Sequence, residues 1–110
     1  MDAENPHAGQ GPVLLDIGDD VGALVVLAPA TLAGHEIEIR ARSTLLAPEE
    51  LPPPRHVSVL PRAGVGGTLY AAVFSAIPAG DYELALRPAG PVQLVLSVLG
   101  SQVTEATWPT

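Results

Sequence analysis

Proline and glycine punctuate this chain so densely that regular elements between them must be short: twelve prolines and eleven glycines are spread over 110 residues. Proline locks φ and removes a backbone donor, and glycine loses the most entropy in a regular element, so both gather in turns. Yet 47% of the residues are apolar, enough to build a core and to exclude a disordered chain. One domain is the expectation at this length.

The short runs have the period of strands. From His35 to Arg42, Ile37, Ile39 and Ala41 alternate with Glu36, Glu38, Arg40 and Arg42, the pattern of a half-buried strand with one wet face. Asp81 to Arg87 repeats it, with Tyr82, Leu84 and Leu86 inward, and Val57 and Val59 alternate with His56 and Ser58. Ala23–Ala28, Leu69–Phe74 and Val92–Leu99 are largely apolar on both faces, which suits central strands or strands that carry an interface. Asp16 to Gly22 and Pro88 to Pro91 supply turn residues between strands. No segment combines helical period with caps. The fold class predicted is all-β, an antiparallel sandwich of seven to eight strands, transthyretin-like or immunoglobulin-like. Residues 1–12 lack periodicity and read as a flexible lead-in, leaving 13–110 as the single domain. Ala47 to Arg55, with Pro52-Pro53-Pro54, reads as an extended polyproline connection.

Gly100-Ser101 matches the two-residue turn of a type II′ hairpin. That reading pairs Val98 with Val103, Leu96 with Glu105 and Gln93 with Trp108. It turns Leu94, Leu96 and Val98 to the core and leaves Val95, Ala106 and Trp108 together on the opposite face.

Formal net charge is −7, with five arginines and no lysine, which disfavours a phosphate backbone as partner. Without cysteine there is no disulfide framework and no thiolate metal site. That composition, with an N-terminal segment lacking the pattern of a secretory signal, fits a cytoplasmic protein. No apolar run reaches membrane-spanning length, so no membrane insertion is expected.

The segment Phe74-Ser75-Ala76-Ile77-Pro78-Ala79-Gly80-Asp81-Tyr82-Glu83-Leu84 resembles the strand, turn and strand of transthyretin-like (prealbumin-like) β-sandwich modules. In it Pro78 presets the turn, Gly80 permits the exit, and Tyr82 and Leu84 plug the core. The whole chain resembles a family of small actinobacterial proteins of unassigned role, on Glu4-Asn5-Pro6-His7, Val13-Leu14-Leu15-Asp16-Ile17-Gly18, Glu36-Ile37-Glu38-Ile39, His56-Val57, Ala71-Ala72-Val73-Phe74 and Tyr82-Glu83-Leu84. Members of that family sometimes carry the label phospholipase. The residues here do not support it. No Gly-x-Ser-x-Gly surrounds Ser43, Ser58, Ser75, Ser97 or Ser101, and three scattered histidines do not make the dense His and Asp cluster of a metal-dependent phospholipase.

Candidate sites are few. His35 and His56 each begin a strand and would meet at one rim if those strands pair, with His7 or Glu36 as a third metal ligand. The competing reading is a rim histidine satisfied by a loop carbonyl. Asp16, Asp19 and Asp20 miss the spacing of a calcium loop and fit turns. Glu36 with Glu38 and Glu49 with Glu50 are carboxylate pairs on solvated segments, without a cleft for acid–base work. Tyr70 and Trp108 are thin support for sugar stacking.

What remains is surplus apolar surface, since a two-layer domain covers one face of each sheet. The sequence therefore reads as a non-enzymatic β-sandwich interaction or accessory module, without cofactor, meeting a protein partner or a second copy as a homodimer through Val95, Ala106 and Trp108. The C-terminal tail or the proline-rich loop is the alternative cover for that face. The rival function is metal binding by His35, His56 and His7 or Glu36.

Overall fold

Each alternating run forms a strand, and the two clearest lie side by side. In a computed structural model of the chain, which describes residues 17–42, 54–88 and 90–109, His35–Arg42 yields β2 (Glu36–Ala41) and Asp81–Arg87 yields β6 (Gly80–Leu86). They pair antiparallel, Ile37 opposite Leu86 and Ile39 opposite Leu84. The apolar positions of both runs thus share one face. Short β3 (Arg55–Ser58) adds to the free side of β2, and β7 (Val92–Val98) to the free side of β6. This is sheet B, in the order β3-β2-β6-β7.

Sheet A has the order β4-β5-β1-β8, from β1 (Val21–Ala28), β4 (Leu60–Gly64), β5 (Gly67–Pro78) and β8 (Val103–Thr107). Its two central strands, β1 and β5, contain two of the runs that are apolar on both faces. Every pairing between these strands is antiparallel except β1 with β8. The described residues therefore form an all-β sandwich of two four-stranded sheets. Its only helical feature among the described residues is a single 3₁₀ turn, Ala30–Leu32.

The inner faces meet in one cluster. Leu24, Val26, Ala72 and Phe74 come from sheet A, Ile37, Ile39, Tyr82, Leu84 and Val98 from sheet B. Burying these side chains is the main favourable term in folding. Tyr82 keeps its hydroxyl satisfied by donating to the Pro78 carbonyl at 2.6 Å, so the turn at Pro78–Gly80 is tied to the core residue that follows it.

A strap of another kind joins the sheets at their β3 side. The β1–β5 register shifts between Gly22 and Leu24, and on β5 Ala76 takes a left-handed φ of 57°, a conformation that costs an L-residue energy. The irregularity presents two carbonyls to one cation: Arg55 of β3 donates to Ser75 O at 2.9 Å and to Ala76 O at 3.0 Å.

One sequence expectation needs correction. Gly100-Ser101 is not a hairpin turn, because β7 stays in sheet B while β8 crosses to sheet A. Glycine is required at 100 for a different reason: a Cβ there would collide with the Asp19 carbonyl of the turn before β1. Ser101 donates its amide to Val21 O at 3.0 Å and its hydroxyl to Asp19 O at 3.2 Å. β4 lies in a stretch, interrupted by Pro61 and Gly64, where the sequence pattern marks no strand. Pro61 is tolerated because β4 is an edge strand. The lead-in at 1–12, the start of order expected at Val13 and most of the proline-rich connection lie outside the described residues.

Candidate functional site

The two outer faces of the sandwich differ in chemistry. On sheet B the outer residues of β2, β3 and β6 are charged: Arg40 lies 3.8 Å from Glu83, Arg42 3.8 Å from Glu83, and Glu36 contacts both His56 (3.3 Å) and Arg87 (3.8 Å), while the edge strand β7 exposes Val92 (42%) and Val95 (56%). The charged groups are all partly solvated, so each pair contributes little.

On sheet A the outer face is apolar. Leu27 of β1 pairs with Ala71 of β5, which pairs with Leu60 of β4; Val25 pairs with Val73 and with Glu105 of β8. Cross-strand partners share a face, so these residues and Leu69 form one outward surface. Leu60 is 45% exposed, Leu69 48% and Val103 47%. In its middle is a concavity of about 240 Å³ lined by Val25, Leu27, Leu69 and Ala71, with Arg62 on the β4 bank and Glu105 on the β8 bank.

Arg62 is the unusual group of this face. It sits opposite Leu69, hence outward, yet it is only 9% exposed. Its Nε donates a long 3.4 Å bond to Ala71 O. Burial pulls its pKa below the ordinary arginine value, since partial desolvation disfavours the charged form. Among the described residues no carboxylate lies within 4 Å of it. Glu105 is exposed on the other bank and likewise has no ion pair among the described residues. Neither residue stands out in the strand pattern, although a signal existed. Arg62 is the single charged residue between Arg55 and Asp81, and Glu105 the single one after Arg87.

The expected metal ligands are not brought together. His56 lies opposite Glu38 on β3 and β2, on the outer face, and its Nδ1 approaches Glu36. His35 precedes β2, where its carbonyl accepts from Val59 N at 2.8 Å. It is exposed at the rim, at the parity of inward Ile37 and three ladder positions from His56. His7 lies outside the described residues. Among the described residues no three His, Asp or Glu side chains converge. Asp19 and Asp20 form the turn bracketed by reciprocal bonds between Gly18 and Val21, 2.9 and 2.7 Å, as turn chemistry predicts; Asp16 lies outside the description.

Nor do Val95, Ala106 and Trp108 form one patch. That grouping depended on the hairpin. With β8 in sheet A, Ala106 packs against the core and Trp108 is 4% exposed within it, its amide donating to Leu27 O at 2.7 Å. Val95 alone is outward, 56% exposed on the opposite sheet. The same sheet switch relieves an awkward feature of the hairpin reading, which turned Glu105 toward the core. The expected core side of β7 stands: Val98 is 1% exposed and Leu94 and Leu96 pack against the cluster.

No helix among the described residues is long and apolar enough to cross a membrane. Comparisons with protein-family models, with curated proteins and with solved structures return no match.

Proposed function

We propose that this chain is a non-enzymatic interaction module that docks a protein partner on the outer face of sheet A, and that it works as a homodimer. The observation that carries this reading is the exposed apolar strip of Leu60, Leu69 and Val103 around the concavity. Two central strands apolar on both faces can satisfy only their inner residues within the sandwich. Their outer residues gain by leaving water against another surface. A cysteine-free chain suits the cytoplasm, where we place it.

Sedimentation velocity of the wild type and of Leu69→Glu tests the reading. The wild type is expected to sediment above its monomer mass of 11.3 kDa at high micromolar concentration. The variant, with a charge on the exposed strip beside the concavity, is expected to sediment as a monomer with unchanged circular dichroism. A wild type that remains monomeric, or a variant that associates equally well, would overturn it.

A further inference from the structure

We infer that the partner is a second copy, seated so that Arg62 of each chain pairs with Glu105 of the other across a two-fold axis. This rests on the docking reading above and adds its recognition element. A cation on one bank of an apolar strip and an anion on the other are self-complementary. A two-fold axis in the plane of the interface, perpendicular to the line joining them, carries each onto the opposite charge of the other chain. One operation makes two identical ion pairs and lays the Val25, Leu27 and Leu69 strips against each other.

The chemistry of Arg62 favours this occupant. Arg62 is 9% exposed as a residue; its guanidinium has one long bond to a carbonyl and no carboxylate within 4 Å among the described residues. An incoming carboxylate supplies what the fold withholds, and a planar guanidinium takes it bidentately. A free small anion would satisfy Arg62 alone. It would also meet the negative field of Glu105, which lines the same concavity. A second copy uses both charges. It also covers the exposed apolar rim, which a ligand confined to about 240 Å³ would leave wet.

A charge exchange tests the pairing. In R62E each contact sets two carboxylates against each other, and in E105R it sets two guanidinium groups together, so each variant alone should lose at least about thirtyfold in self-association. In an equimolar mixture, one of the two contacts joins the two unaltered residues and the other joins the two exchanged ones. Both are then attractive, and a heterodimer should form within about tenfold of the wild-type affinity. Arg62 is largely buried, so circular dichroism first establishes that R62E folds. Should it unfold, Arg62→Met in the E105R background removes the repulsion, and association should rise above that of E105R. A mixture, or a double variant, no more associated than its parents overturns the pairing, while a dimeric wild type leaves the docking face standing. A monomeric wild type overturns both. If octanoate suppresses dimerisation of the wild type and binds E105R more tightly, the occupant is a small carboxylate, and the pairing is again overturned.

Discussion

The central strands of the two sheets differ in pattern, and their outer faces end in opposite states. Sheet B turns Glu36, Glu38, Arg40, His56 and Glu83 to solvent and pairs several of them, so its outer surface over β2, β3 and β6 is finished by water, and its exposed valines, Val92 and Val95, lie on the edge strand β7. Sheet A turns Val25, Leu27, Leu60, Leu69 and Val73 outward and adds one largely buried arginine. The inner faces are equally apolar, so the contrast does not arise from the needs of the core. Period-two alternation builds a strand that is complete within one domain, whereas a strand apolar on both faces is complete only when something covers its second face.

The contrast depends on which residues of β7 and β8 face inward, and the largest expected effect tests that. Trp108→Ala should destabilise the fold by about 3–5 kcal/mol, whereas Val95→Ala should change stability by less than about 0.5 kcal/mol; urea melts of the two variants measure the difference. Equal losses would mean that β7 and β8 are sorted wrongly. Next in size is the pair Leu69→Glu on sheet A and Val95→Glu on sheet B. The first should weaken self-association at least about a hundredfold, close to 2.7 kcal/mol, and the second should leave it unchanged by sedimentation.

Smaller is the effect of Tyr82, whose hydroxyl pKa is raised by burial and partly drawn back by the nearby Arg55 cation. A raised acid pKa means that the folded state holds the proton more tightly. The stabilisation is therefore fully present below the ordinary tyrosine value of about 10 and is lost as pH rises through the folded value. Tyr82→Phe should cost about 1 kcal/mol at neutral pH through the lost bond to Pro78. It should also flatten the decline in stability above about pH 10; denaturant melts across that range report it. The smallest effect belongs to the wet face: Glu83→Gln, which breaks both long ion pairs to Arg40 and Arg42, should shift stability by less than about 1 kcal/mol. A larger loss there would erase the distinction between the faces.

Local pattern was enough for the elements that one strand's own residues decide. β2, β6 and the inner side of β7 are legible because alternation is a property of the strand itself, and the Pro78–Gly80 turn because Tyr82 and Leu84 follow it. What escaped reading depends on residues far apart in the chain. Gly100 answers to the Asp19 carbonyl near the other end of the chain, and a glycine kept for close approach looks the same in sequence as one kept for a hairpin. Misreading it moved Trp108 from the core to the surface. Arg62 looked like an ordinary arginine between Pro61 and Ala63, because its burial follows from the order of strands in sheet A. The surplus of apolar surface was legible in β1 and β5; its place on sheet A, not beside Val95, was not.

Concentration-dependent amide and methyl chemical shifts of the wild type test self-docking through sheet A most directly, because they report the covered face residue by residue. Shifts at Val25, Leu27, Leu69 and Glu105 are expected to grow together from about 10 μM to about 1 mM, while His56, Glu83 and Val95 stay still. Shifts confined to the sheet B residues, or none over that range, would contradict it.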